Sequence, residues 1–244
     1  MPQPDSPGQL PLPLGHAPSS ARADLIEDAS NEEALAWLAR PSDWPLHRLA
    51  LHGAPGVGKS HMLRAMAAEQ GWRLLRGAEL TEALALAPPA PGTALDEADA
   101  AGETALFHLI NRSAEVGSPL LLASSEAPSR WQPRLPDLAS RLRATLAVGI
   151  AAPTEALLAA LLAKLLADRQ LRLPPELQSW LLARLPRDAA SIGAAVAALD
   201  AAALAAGGPV TRALARATLP ELASPSEDQV AAEGDASPPG RGVE

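Results

Sequence analysis

The sequence contains no cysteine, and this absence excludes several kinds of chemistry. Its 244 residues include no thiol that could form a disulfide, attack a substrate or bind a metal. The five histidines do not occur in the i, i+4 pairs with which helices bind zinc. A chain without thiols is compatible with a reducing compartment, and we expect a cytoplasmic protein.

Aromatic residues and excess positive charge are also lacking. Aromatic residues make up 2% of the chain, as five tryptophans and one phenylalanine with no tyrosine, so we expect no surface that stacks nucleic-acid bases. The 20 basic residues are outnumbered by 28 acidic ones, and the net charge of −8 disfavours a broad basic face. We therefore expect no direct sequence-specific contact with DNA.

Long hydrophobic runs are missing as well. The first residues have neither the basic nor the apolar region of a signal peptide, and no apolar run approaches the roughly 18 residues of a membrane span. We therefore expect no membrane segment. Because 48% of the residues are hydrophobic but few are aromatic, the core must consist of small and aliphatic side chains, mostly on helices.

The order of short apolar runs predicts an α/β fold. Five runs are typical of buried strands and alternate with helical patterns, which favours a parallel sheet covered by helices on both faces. We place this domain at residues 23–152. The candidate strands are residues 48–52, 72–75, 93–96, 119–123 and 145–149.

The strand pattern stops near Pro153, and helical patterns replace it. Three helices are predicted at residues 154–170, 174–185 and 188–206, and they form a small all-helical lid domain at residues 153–222. Residues 1–22 and 223–244 are rich in proline, glycine and serine, which predicts two flexible tails, the second of them acidic.

The strongest functional signal is the segment GAPGVGKS at residues 53–60. It matches the phosphate-binding loop pattern G-x-x-x-x-G-K-[ST], and an apolar strand before it and a helical pattern after it provide the required context. In such a loop, backbone N–H groups surround phosphate oxygens, the lysine contacts the β- and γ-phosphates, and the hydroxyl binds Mg²⁺. The sequence thus predicts a site for ATP or ADP with Mg²⁺. The predicted nucleotide contacts in and after the loop are Gly53, Gly56, Val57, Gly58, Lys59, Ser60 and His61.

An acidic segment, LDEAD at residues 95–99, is the candidate partner of this loop. Nucleotide hydrolysis needs a carboxylate near the metal and a second group that orients water. Asp96, at the end of a predicted strand, would support the Mg²⁺ held with Ser60, and Glu97 would orient or activate the attacking water. An exposed acidic loop without such a role is the alternative.

Together with other segments, these motifs resemble AAA+ ATPases of the Hda/DnaA type, and in particular the DnaA homologues that lack the DNA-binding domain. The resemblance covers about residues 9–219. The last of its five segments resembles the family's box VII and is distinctive. The segments are QLPLPL (9–14), SNEEALAW (30–37), the phosphate-binding loop and following helix (53–63), FHLIN (107–111) and LPDLASRL (135–142).

The resemblance implies a catalytic role for Arg141. This residue stands at the box VII position, where the family has an arginine finger that contacts the γ-phosphate of a nucleotide bound to a neighbouring subunit. A planar guanidinium can donate two hydrogen bonds to the charge that develops on phosphate oxygens. For Arg141 and Arg143 without the surrounding segment, a solvated helix face would be the simpler interpretation.

The resemblance also implies two sensor positions. Arg187 is the nearest candidate for the second sensor, which would bind nucleotide from the lid, whereas an alignment on Gly193 places Ala189 there instead. The first sensor should follow the fourth predicted strand, and the sequence does not choose among three candidates. These are Ser124, Ser125 and Glu126.

The segment QLPLPL resembles the hexapeptide with which Hda and other replication proteins bind the bacterial sliding clamp. Its two prolines hold the peptide extended, its leucines can fill an apolar groove, and its glutamine offers donors and an acceptor. A Pro-Leu tail without a partner is the alternative. The predicted clamp contacts are Gln9, Leu10, Leu12 and Leu14.

The resemblance implies a regulator of DNA replication initiation. Such a protein binds nucleotide and the sliding clamp and stimulates ATP hydrolysis on the initiator DnaA, which prevents over-initiation. Its own ATPase activity, the choice between ATP and ADP, and a homo-oligomeric state stay open. The alternatives are an initiator or helicase-loader-like ATPase and, from another class, a small-molecule kinase. A basic helix-turn-helix domain after the lid would favour the initiator, but the residues that follow the predicted lid, 223–244, are acidic.

Overall fold

The computed structural model describes residues 25–88 and 90–222 and contains one five-stranded sheet. Its strands are β1 (Arg48–His52), β2 (Arg73–Arg76), β3 (Thr93–Asp96), β4 (Leu120–Ser124) and β5 (Leu146–Gly149). Their order is β2-β3-β4-β1-β5, and all four pairings are parallel. Each strand overlaps the segment predicted for it, and the predicted parallel sheet is confirmed.

Alternate side chains of the central strands build a separate core on each face of the sheet. Leu49 and Leu51 of β1 pack on one face with helices α1 (Glu32–Leu38) and α2 (Lys59–Gln70). Ala50, between them, packs on the other face with α3 (Glu82–Ala85), α4 (Glu103–Val116) and α5 (Pro136–Arg143). Because helices cover both faces, β4 is buried along its whole length and is almost entirely apolar.

The chain beyond the sheet is helical up to residue 222 and forms the lid. It contains α6 (Glu155–Asp168), α7 (Pro175–Leu182), α8 (Ala189–Ala206) and α9 (Arg212–Thr218), which share a core of leucines with Trp180. Side chains cap three of these helices, because Thr154, Asp188 and Thr211 each accept an N–H from the first turn. The sequence predicts α6, α7 and α8, whereas α9 was not predicted.

The apolar character of α8 corrects one expectation. Among the described residues, α8 is the one helix that is long and apolar enough to cross a membrane by length and composition, although no such run was expected. Its Ile192, Val196 and Leu199 are buried in the lid core, and its alanines make up most of the remainder. Packing in the lid core accounts for the buried 28% of this helix, and the other positions are mostly alanines that are exposed or part-buried.

Candidate nucleotide-binding site

The loop between β1 and α2 has a backbone that only glycines adopt easily. Gly53, Gly56 and Gly58 have φ angles of 153°, 81° and 104°. A Cβ atom on Gly53 would lie 2.4 Å from the carbonyl oxygen of Ile150, which follows β5, so residue 53 has no room for a side chain. The loop therefore passes close to the end of β5 and turns sharply into α2.

The lid contacts this loop at Gly56. The Ala189 N–H donates to the Gly56 carbonyl at 3.1 Å, and a Cβ atom on Gly56 would lie 2.7 Å from the Cβ atom of Asp188. The Asp188 carboxylate is fixed in turn, because it accepts hydrogen bonds from the Ser191 N–H and hydroxyl, each at 2.7 Å. The start of α8 therefore packs directly on the loop.

The backbone amides of the loop are available to an anion. Within residues 25–88 and 90–222, no hydrogen bond uses the N–H groups of residues 56–60. Helix α2 begins at Lys59, so the positive end of its dipole adds to these donors. Val57 contributes only backbone here, because its side chain packs against the core on the α2 face of the sheet.

Lys59 holds the two ends of the loop together. Its Nζ donates to the carbonyl oxygens of Gly53 at 2.7 Å and Ala54 at 2.8 Å. Burial lowers the pKa of Lys59 below its ordinary value of 10.5, while the carboxylates of Asp96 and Asp99 act in the opposite direction. The Lys59 ammonium is thus bonded to two carbonyl oxygens, and the oxygens of a phosphate group can take their place as acceptors.

Acidic side chains lie beside the loop at the carboxyl edge of the sheet. Asp96 ends β3, and Asp96, Glu97 and Asp99 all line the same cavity as the loop. Glu97 has a φ angle of 52°, which is unusual for this residue type, and its carboxylate pairs with Arg76 at the end of β2 at 3.4 Å. The Asp99 carboxylate accepts the Ser125 N–H at 3.1 Å, a contact that no sequence signal indicated.

Two of the three first-sensor candidates line the cavity. Ser124 and Ser125 do, and the buried Ser124 hydroxyl donates to the carbonyl oxygen of Glu126 at 2.8 Å. Glu126 is not among the lining residues, and its carbonyl also accepts the indole N–H of Trp131. The assignment of the sensor stays a prediction, with Ser124 and Ser125 placed to fulfil it.

One cavity of about 870 Å³ joins the loop, the acidic edge and the lid. Among the predicted nucleotide contacts, Gly56, Gly58, Lys59, Ser60 and His61 line it. Within the described ranges 25–88 and 90–222, no cluster of three His, Asp or Glu side chains could hold a metal alone. A metal ion here would therefore share its ligands with a bound phosphate. Ala189 and Gly193, named above for the alternative second-sensor alignment, also line it. The lid and α2 add lining residues that sequence reasoning missed: Arg64, Leu161, Lys164, Leu165, Asp168, Arg169 and Ala190.

The missed residues on α6 follow a helical spacing. The predicted helix was recognised by its leucines, and of these Leu158, Leu162 and Leu166 form the lid core. Leu161 and Leu165 lie one position before two of them and line the cavity on the neighbouring stripe of the helix. Polar residues lie three and four positions after these leucines, and this spacing could have indicated the cavity-lining face of α6. Its use requires knowing which face of α6 the loop contacts.

Arg141 lies outside the cavity of its own chain. Its Nε donates to Asn111 Oδ1 at 2.5 Å, one terminal nitrogen donates to the Asp137 carbonyl at 3.2 Å, and its guanidinium carbon lies 4.7 Å from the ring centre of Phe107. The carbonyl of Arg141 also accepts the hydroxyl of Thr145. The side chain is therefore held on α5 and α4, away from the loop that would bind nucleotide.

Arg187 also lies outside the lining of the cavity. It pairs with Glu155 at the start of α6, and both side chains are exposed. Ala189, the alternative at this position, lines the cavity beside the loop. A role for Arg187 as second sensor stays a prediction, and the side chain would have to leave Glu155 to perform it.

Solved structures with this architecture include a replication initiator. The chain superposes on domain III of DnaA from Thermotoga maritima with a TM-score of 0.70 at 17% identity, covering 86% of this chain and 99% of that one. The chain has the AAA+ fold of DnaA domain III. The AMPPCP-bound DnaA from Aquifex aeolicus gives a TM-score of 0.59 at 17% identity and 72% coverage of this chain, which matches 63% of that longer chain.

The AAA+ fold is shared with a DNA motor as well. The RuvB Holliday junction branch migration motor of Thermotoga maritima gives a TM-score of 0.62 at 15% identity, covering 83% of this chain and 72% of that one. No protein-family model matches the sequence, and no curated protein matches it. These likenesses therefore show the AAA+ fold.

His52 links the stability of this fold to pH. Burial, followed by the charges of Arg130 and Lys59, lowers the pKa of His52 below its ordinary value of 6.5. Around and below pH 6.5 the unfolded chain therefore binds more protons at this histidine than the folded chain does, so stability falls as the pH falls through this range. The His52→Asn variant should lose less thermal stability than wild type between pH 7.5 and pH 5.5.

Thermal melting at several pH values measures this difference. Because His52 is only part-buried, we expect a shift smaller than the roughly 2–4 °C that 1 kcal/mol produces in a chain of this size. His47→Asn, which removes an exposed imidazole, is measured alongside it as the control. Identical profiles for His52→Asn and wild type would contradict the assignment.

Proposed function

We propose that this chain binds ATP or ADP with Mg²⁺ and acts as a regulator of replication initiation, by stimulating ATP hydrolysis on the initiator DnaA. Three features support nucleotide binding. The loop has amide donors without partners, Lys59 stands among carbonyl oxygens that a phosphate can replace, and Ser60 and Asp96 line the same cavity. A DnaA of the same fold is described as AMPPCP-bound.

The donor set also fits Mg²⁺ shared with a nucleotide. The Ser60 hydroxyl would bind the ion directly and the Asp96 carboxylate would support its shell, which leaves the remaining positions to phosphate and water. The ion would neutralise charge on the phosphates during transfer. The Asp96 carboxylate accepts the Glu97 N–H at 3.1 Å, which keeps it at the end of β3 beside the loop.

The pairing of Glu97 supports a weak ATPase activity of the chain itself. Glu97 is the group that would orient the attacking water, and its carboxylate is paired with Arg76. Both side chains are more than half exposed, so this pair is worth little energetically and can open. While the pair is closed, Arg76 competes with water for one oxygen of the carboxylate.

The placement of Arg141 is the observation on which the regulatory role rests. Asn111, Asp137 and Phe107 hold the guanidinium between α5 and α4, and it does not line the cavity of its own chain. An arginine that is fixed and remote from its own site is suited to complete the site of a neighbouring molecule. DnaA is the proposed neighbour, and a second copy of this chain is the alternative.

The regulatory role is tested by single-turnover hydrolysis of ATP preloaded on DnaA. The reaction contains sliding clamp on DNA, with or without this protein. We expect faster hydrolysis when the protein is present, and faster hydrolysis with clamp than without. An unchanged rate under all conditions would contradict the regulatory role and leave nucleotide binding unaffected.

Clamp binding is proposed for residues 9–14, which lie outside the described residues. Changing Gln9, Leu12 and Leu14 together to alanine should reduce clamp binding at least about tenfold, because the glutamine amide and two apolar anchors are lost. The measurement is surface-immobilised clamp binding of full-length protein. A triple change of Pro2, Gln3 and Pro4 to alanine is the matched control, and equal binding by both variants would exclude the segment as clamp ligand.

A further inference from the structure

The cavity has two different ends, because the lid helices α6 and α8 both begin near the loop. Helix α8 starts on the loop, where Ala189 bonds to Gly56. Helix α6 starts beside it, because Glu155 pairs with Arg187 just before α8, and the two helices meet again where Arg169 pairs with Asp200. Both helices therefore run away from the loop side by side.

Arg169 lies at the far end of this pair of helices. Its Nε is 3.7 Å from the Asp200 carboxylate of α8, and Asp200 is about three turns, or roughly 16 Å of helix axis, beyond the contact with Gly56. A phosphate bound by the amides of the loop and the Arg169 guanidinium thus lie at opposite ends of the cavity. Leu161 and Leu165 line the stretch of α6 between them.

The environment of Arg169 leaves donors for a ligand. Its side chain is only 12% exposed, yet it lines the cavity. One terminal nitrogen donates to the Leu165 carbonyl at 3.5 Å, and among residues 25–88 and 90–222 the other makes no hydrogen bond. Asp200 and the helix end hold the guanidinium in one orientation, which reduces the entropy lost when a ligand binds.

Among the lid residues that the structure describes in the cavity lining, Arg169 is the one arginine. The residues that α8 contributes to the cavity, Ala189, Ala190 and Gly193, carry no charge. On α6, the Lys164 ammonium is already paired with Asp168 at 2.7 Å. Arg64 of α2 also lines the cavity, but its side chain is exposed.

We propose that Arg169 is a specificity-determining residue that donates hydrogen bonds to the nucleoside part of the bound nucleotide, a role that rests on the nucleotide binding proposed above. The leucines beside it suit the uncharged face of a base, and the guanidinium suits acceptor atoms on a base edge or sugar. The lid then contributes affinity through Arg169 without distinguishing ATP from ADP, because the residues that α8 places in the cavity lining, Ala189, Ala190 and Gly193, carry no charge.

Calorimetry with three probes tests the proposal: ADP, ATP and inorganic tripolyphosphate, which contains only the phosphate part. Arg169→Ala should lower the affinities for ADP and ATP by the same factor, about tenfold or more for a charge-assisted hydrogen bond. The tripolyphosphate affinity should stay the same. Arg172→Ala, an exposed arginine outside the cavity, is the matched control and should leave all three affinities unchanged.

A second variant separates recognition from stability of the lid. Arg169→Ala leaves Asp200 without its partner, so the double variant Arg169→Ala, Asp200→Ala is measured alongside it, each with a thermal melt. Unchanged ADP affinity in the double variant would overturn the proposal. A changed ratio of ATP to ADP affinity, or an equal loss of tripolyphosphate affinity, would place Arg169 at the phosphates and also overturn it. A separate result would overturn the nucleotide binding on which this proposal rests: the Lys59→Ala variant would bind ADP as tightly as the wild-type protein does.

Discussion

Replacing Lys59 with alanine is expected to lower the affinity for ADP and ATP on the order of 100-fold, with little loss of folded protein. The lysine ammonium would contact phosphate oxygens, and two charge-assisted hydrogen bonds at about 1.5 kcal/mol each give about 3 kcal/mol. The fold should persist because the ammonium's present partners, the carbonyls of Gly53 and Ala54, are at the loop and become accessible to water. Calorimetry with each nucleotide measures the affinity.

Two further variants separate charge from packing at the same position. Lys59→Met keeps most of the apolar stem without the ammonium and should bind nucleotide as weakly as Lys59→Ala. Ser60→Ala should mainly reduce the dependence of binding on Mg²⁺, because it removes the proposed metal-binding hydroxyl and leaves the lysine. Wild-type affinity in Lys59→Ala, together with an unchanged melting temperature, would show that the cavity binds something other than a nucleotide polyphosphate.

The sheet could be predicted from the sequence because each strand is indicated by residues that are adjacent in the chain. Each strand contains at least two consecutive apolar residues, and β4 in particular reads LLLAS, which suits a strand covered on both faces. The loop residues 53–60 were predictable for a related reason, since the positive φ angles of Gly53, Gly56 and Gly58 permit few other residues. In both cases the physical requirement falls on consecutive positions.

The remainder of the cavity could not be predicted because it depends on contacts between distant segments. Asp99 and Ser125 meet only when β3 and β4 pair, and Arg169 enters the cavity only when α6 packs beside α8. The leucine pattern of α6 identifies a helix but does not show which stripe faces the loop. Likewise, the hydrogen bond from the Ala189 N–H to the Gly56 carbonyl joins backbone atoms, and such a contact cannot be recognised from the residue types.

Replacing Arg141 with alanine is expected to abolish the stimulation of ATP hydrolysis on DnaA, while the protein keeps its own nucleotide affinity. Arginine fingers contribute about 10³ to 10⁵ in rate, so removal of one should return hydrolysis to the unstimulated level. The contacts with Asn111, Asp137 and Phe107 would be lost, but they lie outside the cavity and are partly solvated, so we expect only about 1 kcal/mol of destabilisation.

Arg143 provides the matched control for this experiment. It is on the same helix, two positions away, and its side chain is exposed, so Arg143→Ala removes the same charge from α5 without the contacts that fix Arg141. Arg141→Lys should restore little activity, because an ammonium cannot reproduce the planar two-pronged contact. Single-turnover hydrolysis of ATP on DnaA, with clamp on DNA, compares all three variants with wild type.

The pattern of losses distinguishes the partner of Arg141. If DnaA is the neighbour, the Ala variant should lose stimulation of DnaA while any slow hydrolysis by this chain alone stays the same, because Arg141 does not line its own cavity. If a second copy of this chain is the neighbour, the same variant should lose the concentration-dependent part of the chain's own activity instead. Full stimulation of DnaA by Arg141→Ala would exclude the finger role in DnaA hydrolysis, and weaker nucleotide binding by this variant would indicate a structural role within its own subunit.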